Sequence, residues 1–98
     1  MFKVFIDPLA EKDIDEIFSW YEDTRTYLGF EFLNEIEQCI FSLQENPLAY
    51  YNVTDKVRRI TIARFPYNVY YTVHTNTVYI HVIMHQHKDP EEWQKRLK

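Results

Sequence analysis

The hydrophobic period of the chain changes once, near Val57, and that change limits what it can fold into. Before it, apolar residues recur at steps of three and four: Leu9, Ile14, Ile17, Phe18 and Tyr21, then Phe30, Leu33, Ile36, Ile40 and Leu43. That spacing lays one apolar stripe along each of two helices. After Val57 the step is two. Ile60 and Ile62 alternate with Arg59, Thr61 and Ala63, while Tyr67, Val69, Tyr71 and Val73 alternate with Asn68, Tyr70, Thr72 and His74. Val78 to Met84 is a near-continuous apolar run interrupted by His81, the pattern of a central strand. A striped helix pair and a striped sheet cannot bury themselves alone, so one must cover the other.

The boundaries follow from local chemistry. Residues 2–6 read as a short first strand. Asp7 is placed to cap the next helix, and Pro8 fits its first turn, where a missing N–H costs nothing. That helix is expected over residues 8–26, with Glu11, Lys12, Asp15, Glu16, Glu22 and Asp23 toward solvent. Gly29, the only glycine, falls between the two helical patterns and is expected to join them as a hairpin. Phe41 flanks the second stripe, and Asn46-Pro47 ends it. Phe65-Pro66 breaks the first strand run, and Thr75-Asn76-Thr77 suits a tight turn. Asp89-Pro90-Glu91-Glu92 opens a last short helix, with Glu92 at the capping-box position and Trp93 and Leu97 packing it. The expected fold is α+β in the order β-α-α-β-β-β-α: an N-terminal strand and a helix hairpin packed on a small, mostly antiparallel sheet. All 98 residues read as a single domain, without repeat, linker or low-complexity tract.

Several function classes drop out. One cysteine excludes an intrachain disulfide framework and a Cys-rich zinc site. Cys39, beside Ile40, reads as a small buried hydrophobe. One glycine cannot build a phosphate-cradling loop. His81, His85 and His87 lie close in sequence, but four strand residues span about 13 Å, too far for a shared ion. Neither a metal nor a cofactor is expected. The apolar start ends at Asp7-Pro8, short of a signal peptide, and no stretch approaches a membrane span, so a cytoplasmic protein with no membrane partner is expected.

The charge is divided. Residues 1–50 carry eleven acids and three bases, residues 51–98 four acids and eight bases, for a net charge of -4. Lys56, Arg58, Arg59 and Arg64 crowd together with no acid between them. Such a patch suits phosphate or an acidic protein partner; the competing reading pairs these bases with the acidic half of the same chain. The acid pairs Glu11/Asp15 and Glu31/Glu35 read as solvated helix faces. Cleavage of RNA by its own 2′-hydroxyl needs a base, cations that hold developing charge, and an acid for the leaving oxygen. His85 and His87, where the last strand ends, together with Lys88 and the arginines, contain such groups.

Segments along nearly the whole chain also resemble a known superfamily. They are Trp20-Tyr21, Leu28-Gly29 followed by Phe32-Leu33 and Ile36, Asn46-Pro47, Val57-Arg58-Arg59, Arg64-Phe65-Pro66-Tyr67-Asn68-Val69-Tyr70-Tyr71-Thr72-Val73, and His85 through Pro90 with Trp93. In this order they resemble the RelE/ParE toxins of bacterial type II toxin–antitoxin systems. The resemblance implies a helix hairpin on a small sheet and a cognate antitoxin that wraps the toxin with an otherwise disordered segment. Operator DNA would be met only through the antitoxin complex.

Mechanism divides that superfamily: the RelE-like branch cleaves mRNA on the ribosome, and the ParE-like branch blocks DNA gyrase. Carried onto this chain, one base of the RelE-like nuclease pattern falls on Arg59. The next position holds Thr61, an arginine position holds Asn68, the terminal arginine is Lys88, and the tyrosine region holds Trp93 and Gln94. Two cation positions are lost, and lysine lacks the planar fork of arginine. The resemblance therefore implies ParE-like gyrase inhibition, with Trp20, Arg58, Arg59, Arg64 and Trp93 as candidate binding residues. The alternatives are a ribosome-dependent endoribonuclease using His85, His87, Lys88 and Arg59, and a non-toxic module that only binds antitoxin and regulates its operon.

Overall fold

Two Asp-Pro steps start helices, as their chemistry requires. In the computed structural model, which describes residues 1–97, Asp7 Oδ1 accepts from the Leu9 N–H at 2.9 Å and Asp89 Oδ1 from the Glu91 N–H at 3.0 Å. Strand β1 (Lys3–Ile6) leads into helix α1 (Pro8–Thr24), and helix α2 (Leu28–Glu45) returns antiparallel to it. After a 3₁₀ turn over Pro47–Ala49 come strands β2 (Tyr51–Asn52), β3 (Arg58–Thr61), β4 (Tyr67–His74) and β5 (Thr77–His85), then helix α3 (Pro90–Arg96). The strands form one sheet in the order β1-β5-β4-β3-β2; β1 runs parallel to β5 and every other pair is antiparallel. The expected α+β order is present, with two-residue β2 as an added edge strand and α1 ending at Thr24 rather than residue 26. Among the described residues no helix is long and apolar enough to cross a membrane.

The helix hairpin covers one face of the sheet. Phe32, Ile36, Cys39 and Leu43 of α2 and Ala10 of α1 are buried with Ile60, Val69, Tyr71, Val78, Ile80 and Ile83. Tyr71 is wholly enclosed, and its hydroxyl donates to the Pro47 carbonyl at 2.6 Å. Burial pushes that phenol up to about 12. The expected stripes hold at Ile14, Ile17, Tyr21, Leu33, Ile36, Ile40 and Leu43 and fail at their first residues. Leu9 and Phe30 are 54% and 55% exposed, and Phe41 is exposed as well, whereas Ala10 and Phe32 are buried. Ala10, wholly enclosed, takes the core position on α1 in place of Leu9.

Gly29 does not make the turn. It lies inside the first turn of α2, and the left-handed residue of the connection is Tyr27, at φ 71°. For a non-glycine residue that conformation costs about 1–2 kcal/mol. The glycine is used for close approach instead. A Cβ there would stand 2.7 Å from the Phe18 carbonyl oxygen and 2.7 Å from Glu22 Cγ. Glu22, expected in solvent, turns inward, and its carboxylate accepts from the Gly29 N–H at 2.9 Å. It supplies the cap that Tyr27 cannot.

The opposite face carries a second, smaller core. Trp93 of α3 stacks on Tyr70, with ring centres 5.1 Å apart and planes 12° from parallel, and Val57 and Val82 close around them. Between the faces, β5 contains a bulge. Tyr70 pairs with Val82 but Tyr71 with Ile80, which leaves His81 as the extra residue. Gly29→Ala is expected to lower stability by about 1–3 kcal/mol through overpacking. Trp93→Ala should cost about 3–5 kcal/mol by emptying the second core. Urea unfolding followed by circular dichroism measures both.

Candidate functional site

Strand alternation decides where the basic segment points. Ile60 faces the helix hairpin, so Arg58 shares its side and Arg59 takes the other. Arg58 is consumed inside the fold: its Nη1 donates to the carbonyls of Leu48 and Tyr50 at 3.0 and 2.8 Å. Arg59 lies over the Tyr51 ring, 4.7 Å from its centre, a weak cation–π contact at a partly exposed position. Arg64, at φ 71°, reaches back to α2 and pairs with Glu31 at 2.7 Å and Glu35 at 3.4 Å. Three of the four crowded bases are thus engaged by the same chain, each through groups outside the basic segment.

The histidines stand elsewhere. His85 pairs across the sheet with Tyr67, their rings 5.3 Å apart, and Tyr67 packs on Tyr21 and Phe32 of the hairpin. His85 therefore lies on the hairpin face, whereas Arg59, opposite Tyr70, lies on the α3 face. They are also two strands and three residues apart, roughly 10 Å in each direction. The His85 Nδ1 accepts the His87 N–H at 3.1 Å, and the two rings are 5.4 Å apart. That bond occupies the Nδ1 lone pair, so this ring nitrogen is engaged by the backbone of the same loop. The bulge turns His81 away from His85: its Nε2 meets Thr72 Oγ1 at 2.8 Å on the α3 face. Burial holds the His81 imidazole below the usual histidine range. Where the nuclease pattern wants cations, the Thr61 hydroxyl donates to Asn68 Oδ1 at 2.9 Å. Among the described residues no three His, Cys, Asp or Glu side chains converge as a metal site.

Two of the predicted residues do share a concave site. His85 and Lys88 line a cavity of about 320 Å³ between α1, the end of β5 and α3, with Glu16, Tyr67, Met84 and Glu92 also on its wall. Its back is an ion pair that sequence reasoning missed. Asp13 on α1 and Arg96 on α3, 83 residues apart, meet through two contacts of 3.0 and 3.3 Å. Asp13 Oδ2 also accepts from the Ile83 N–H at 3.0 Å, and Arg96 Nη2 donates to the His81 carbonyl at 3.2 Å. No local motif carries such a pair; the only trace is that residue 13 borders the apolar stripe of α1. Trp20, on the same flank of α1, is 62% exposed, while Trp93 is 3% exposed. Of the two candidate binding tryptophans, only Trp20 is accessible.

A helix hairpin over a β1-β5-β4-β3-β2 sheet with a short C-terminal helix is the RelE/ParE-like architecture. A chain of the chromosomal ParDE toxin–antitoxin system from P. aeruginosa superposes with a TM-score of 0.75 at 21% identity, covering 87% of this chain and 96% of that one. The isolated E. coli RelE toxin superposes at 0.67 with 14% identity over 100% of both chains. No curated protein sequence matches. The sequence pattern of the ParE toxin of the type II toxin–antitoxin system, parDE, matches residues 4–90, so the chain belongs to that family, within the RelE/ParE superfamily. Its general role is that of the toxin in a type II pair, whose counterpart is a cognate antitoxin.

The Arg64 pairing has a measurable consequence. The Glu31 carboxyl is held below its ordinary value of 4.5 by hydrogen bonds from Arg64 and then Arg25. A depressed folded-state value contributes stability that is complete above the ordinary value and is lost as pH falls below it. Glu31→Gln should therefore flatten the acid limb of the stability profile below about pH 4.5 and leave its neutral-to-alkaline shape unchanged. Thermal unfolding across pH checks this. An unchanged acid limb would show that neither Arg64 nor Arg25 holds Glu31 in solution.

Proposed function

We propose that this toxin acts in the ParE-like manner, binding DNA gyrase and inhibiting it without covalent chemistry of its own. One observation carries the reading: Arg59 and the His85/His87 pair lie on opposite faces of the sheet. A general base, an acid and a charge-holding cation must converge within hydrogen-bond reach of one phosphodiester, and these residues do not. The engagement of the His85 Nδ1 by the His87 N–H adds to the same conclusion. Inhibition by binding needs an accessible anchor, and Trp20 supplies one, since buried aromatic anchors dominate protein interfaces. Arg59, partly exposed beside Tyr51, is a second contact. Arg58, Arg64 and Trp93 then serve the fold that presents these two. The protein would act in the cytoplasm, held inactive by its antitoxin and reaching operator DNA only in that complex.

The ribonuclease reading keeps one observation of its own, that His85 and Lys88 line the same cavity. A supercoiling assay with purified gyrase separates the two. The toxin should inhibit supercoiling, His85→Ala/His87→Ala should still arrest growth, and Trp20→Ala should weaken inhibition about tenfold or more. Full supercoiling at saturating toxin, with growth arrest abolished in the folded double variant, would replace this reading with ribosome-dependent mRNA cleavage.

A further inference from the structure

The outer edge of β5 changes character at its midpoint. β1 pairs with Thr77–Ile80 and ends, with the Asp7 N–H taking the Ile80 carbonyl at 2.9 Å. Beyond that point, among the described residues, no strand lies beside His81–His85, and their edge is open backbone inside the sheet. Open edges of this kind pair with other chains unless something prevents it. Here two side chains stand where the next strand's backbone would be. From the hairpin face, Asp13 Oδ2 accepts the Ile83 N–H at 3.0 Å, as a strand carbonyl would. From the α3 face, Arg96 Nη2 donates to the His81 carbonyl at 3.2 Å, as a strand N–H would. The two are joined to each other at 3.0 and 3.3 Å, so the bridge passes across the edge from one face of the sheet to the other. The Arg96 Nε is buried without a hydrogen-bond partner among the described residues, so the guanidinium's bonds run through its Nη atoms.

We propose that the Asp13–Arg96 pair is a clasp on the β5 edge, which prevents that edge from pairing with the same edge of a second copy. The occupant follows from the strand itself. An antiparallel edge is complementary to its own copy turned through a two-fold axis. Next to the clasp, the Ile83 carbonyl and the His85 N–H point the same way as the Ile83 N–H, because alternate residues of a strand share a direction. The open cavity of about 320 Å³ along that edge leaves room for an extended backbone to approach. Opening the clasp therefore exposes a short run of unpaired groups that the equivalent run of another molecule satisfies. The clasp adds to the bulge at His81, itself one of the devices that protect sheet edges.

Size-exclusion chromatography with light scattering over a hundredfold range of concentration tests this. The unaltered chain should remain monomeric. Asp13→Ala should form a dimer whose share rises with concentration, and Asp13→Ala/His85→Pro should return to monomer. Proline removes the outward N–H of His85 without touching the bonds to β4. If Asp13→Ala does not fold, Arg96→Gln is read in its place, with His85→Pro as the same reversal. A folded clasp variant that stays monomeric at every concentration overturns the proposal. So does association that His85→Pro fails to reverse, or an unaltered chain that is already a dimer and that His85→Pro dissociates.

Discussion

β5 is buried on both faces, so each backbone donor or acceptor left unmet along it is costly. Val78, Ile80 and Ile83 lie under the helix hairpin, while Val82 lies under Trp93. An unpaired amide at such a position costs about 1–3 kcal/mol, a large share of the stability of a domain this small. β4 meets one edge along its whole length and β1 meets half of the other. The remaining half falls to Asp13 and Arg96, which join the first helix to the last. The placement of α3, and with it the Tyr70–Trp93 core, is thus tied to the hydrogen-bonding needs of one strand.

The same geometry distributes the charged groups. Strand alternation sends Arg58 and Arg59 to opposite faces, and the bulge at His81 separates His81 from His85. The acidic first half and basic second half of the chain are partly reconciled inside one molecule, through Arg64 with Glu31 and Glu35 and through Arg96 with Asp13. Arg58 has become an internal strut and Arg64 an exposed partner of α2, while Arg59 stays partly accessible on one face and Lys56 lies on a loop. Binding by such a surface relies on anchors rather than on a uniform field, which suits a protein partner better than nucleic acid.

Much of this was legible in the sequence. The two hydrophobic periods define the helix hairpin and the strands, and the Asp-Pro steps define two helix starts, because both signals are local. Gly29 was legible only as a glycine. Whether it turns the chain or admits a neighbouring helix depends on Phe18 and Glu22, which belong to the other helix. Leu9 and Phe30 fit their stripes by spacing, yet as the first residue of each stripe they fall outside the core. The apolar run from Val78 to Met84 hides its own bulge, since it has no alternation to break. The Asp13–Arg96 pair has no sequence signature at all, because its members are 83 positions apart. In the candidate site, His85 and Lys88 were found as neighbours of one cavity, but their separation from Arg59 needed the register of three strands.

The central proposal is that a member of the ParE toxin family with His85 and Arg59 on opposite sides of the sheet acts by binding gyrase. Pulse labelling in bacteria after sudden induction of this chain tests it most directly, with thymidine and methionine incorporation followed over the first minutes. The account predicts that thymidine incorporation falls first and methionine incorporation follows later. Early collapse of methionine incorporation with thymidine uptake intact would contradict it and move the search for function to the cavity beside His85 and Lys88.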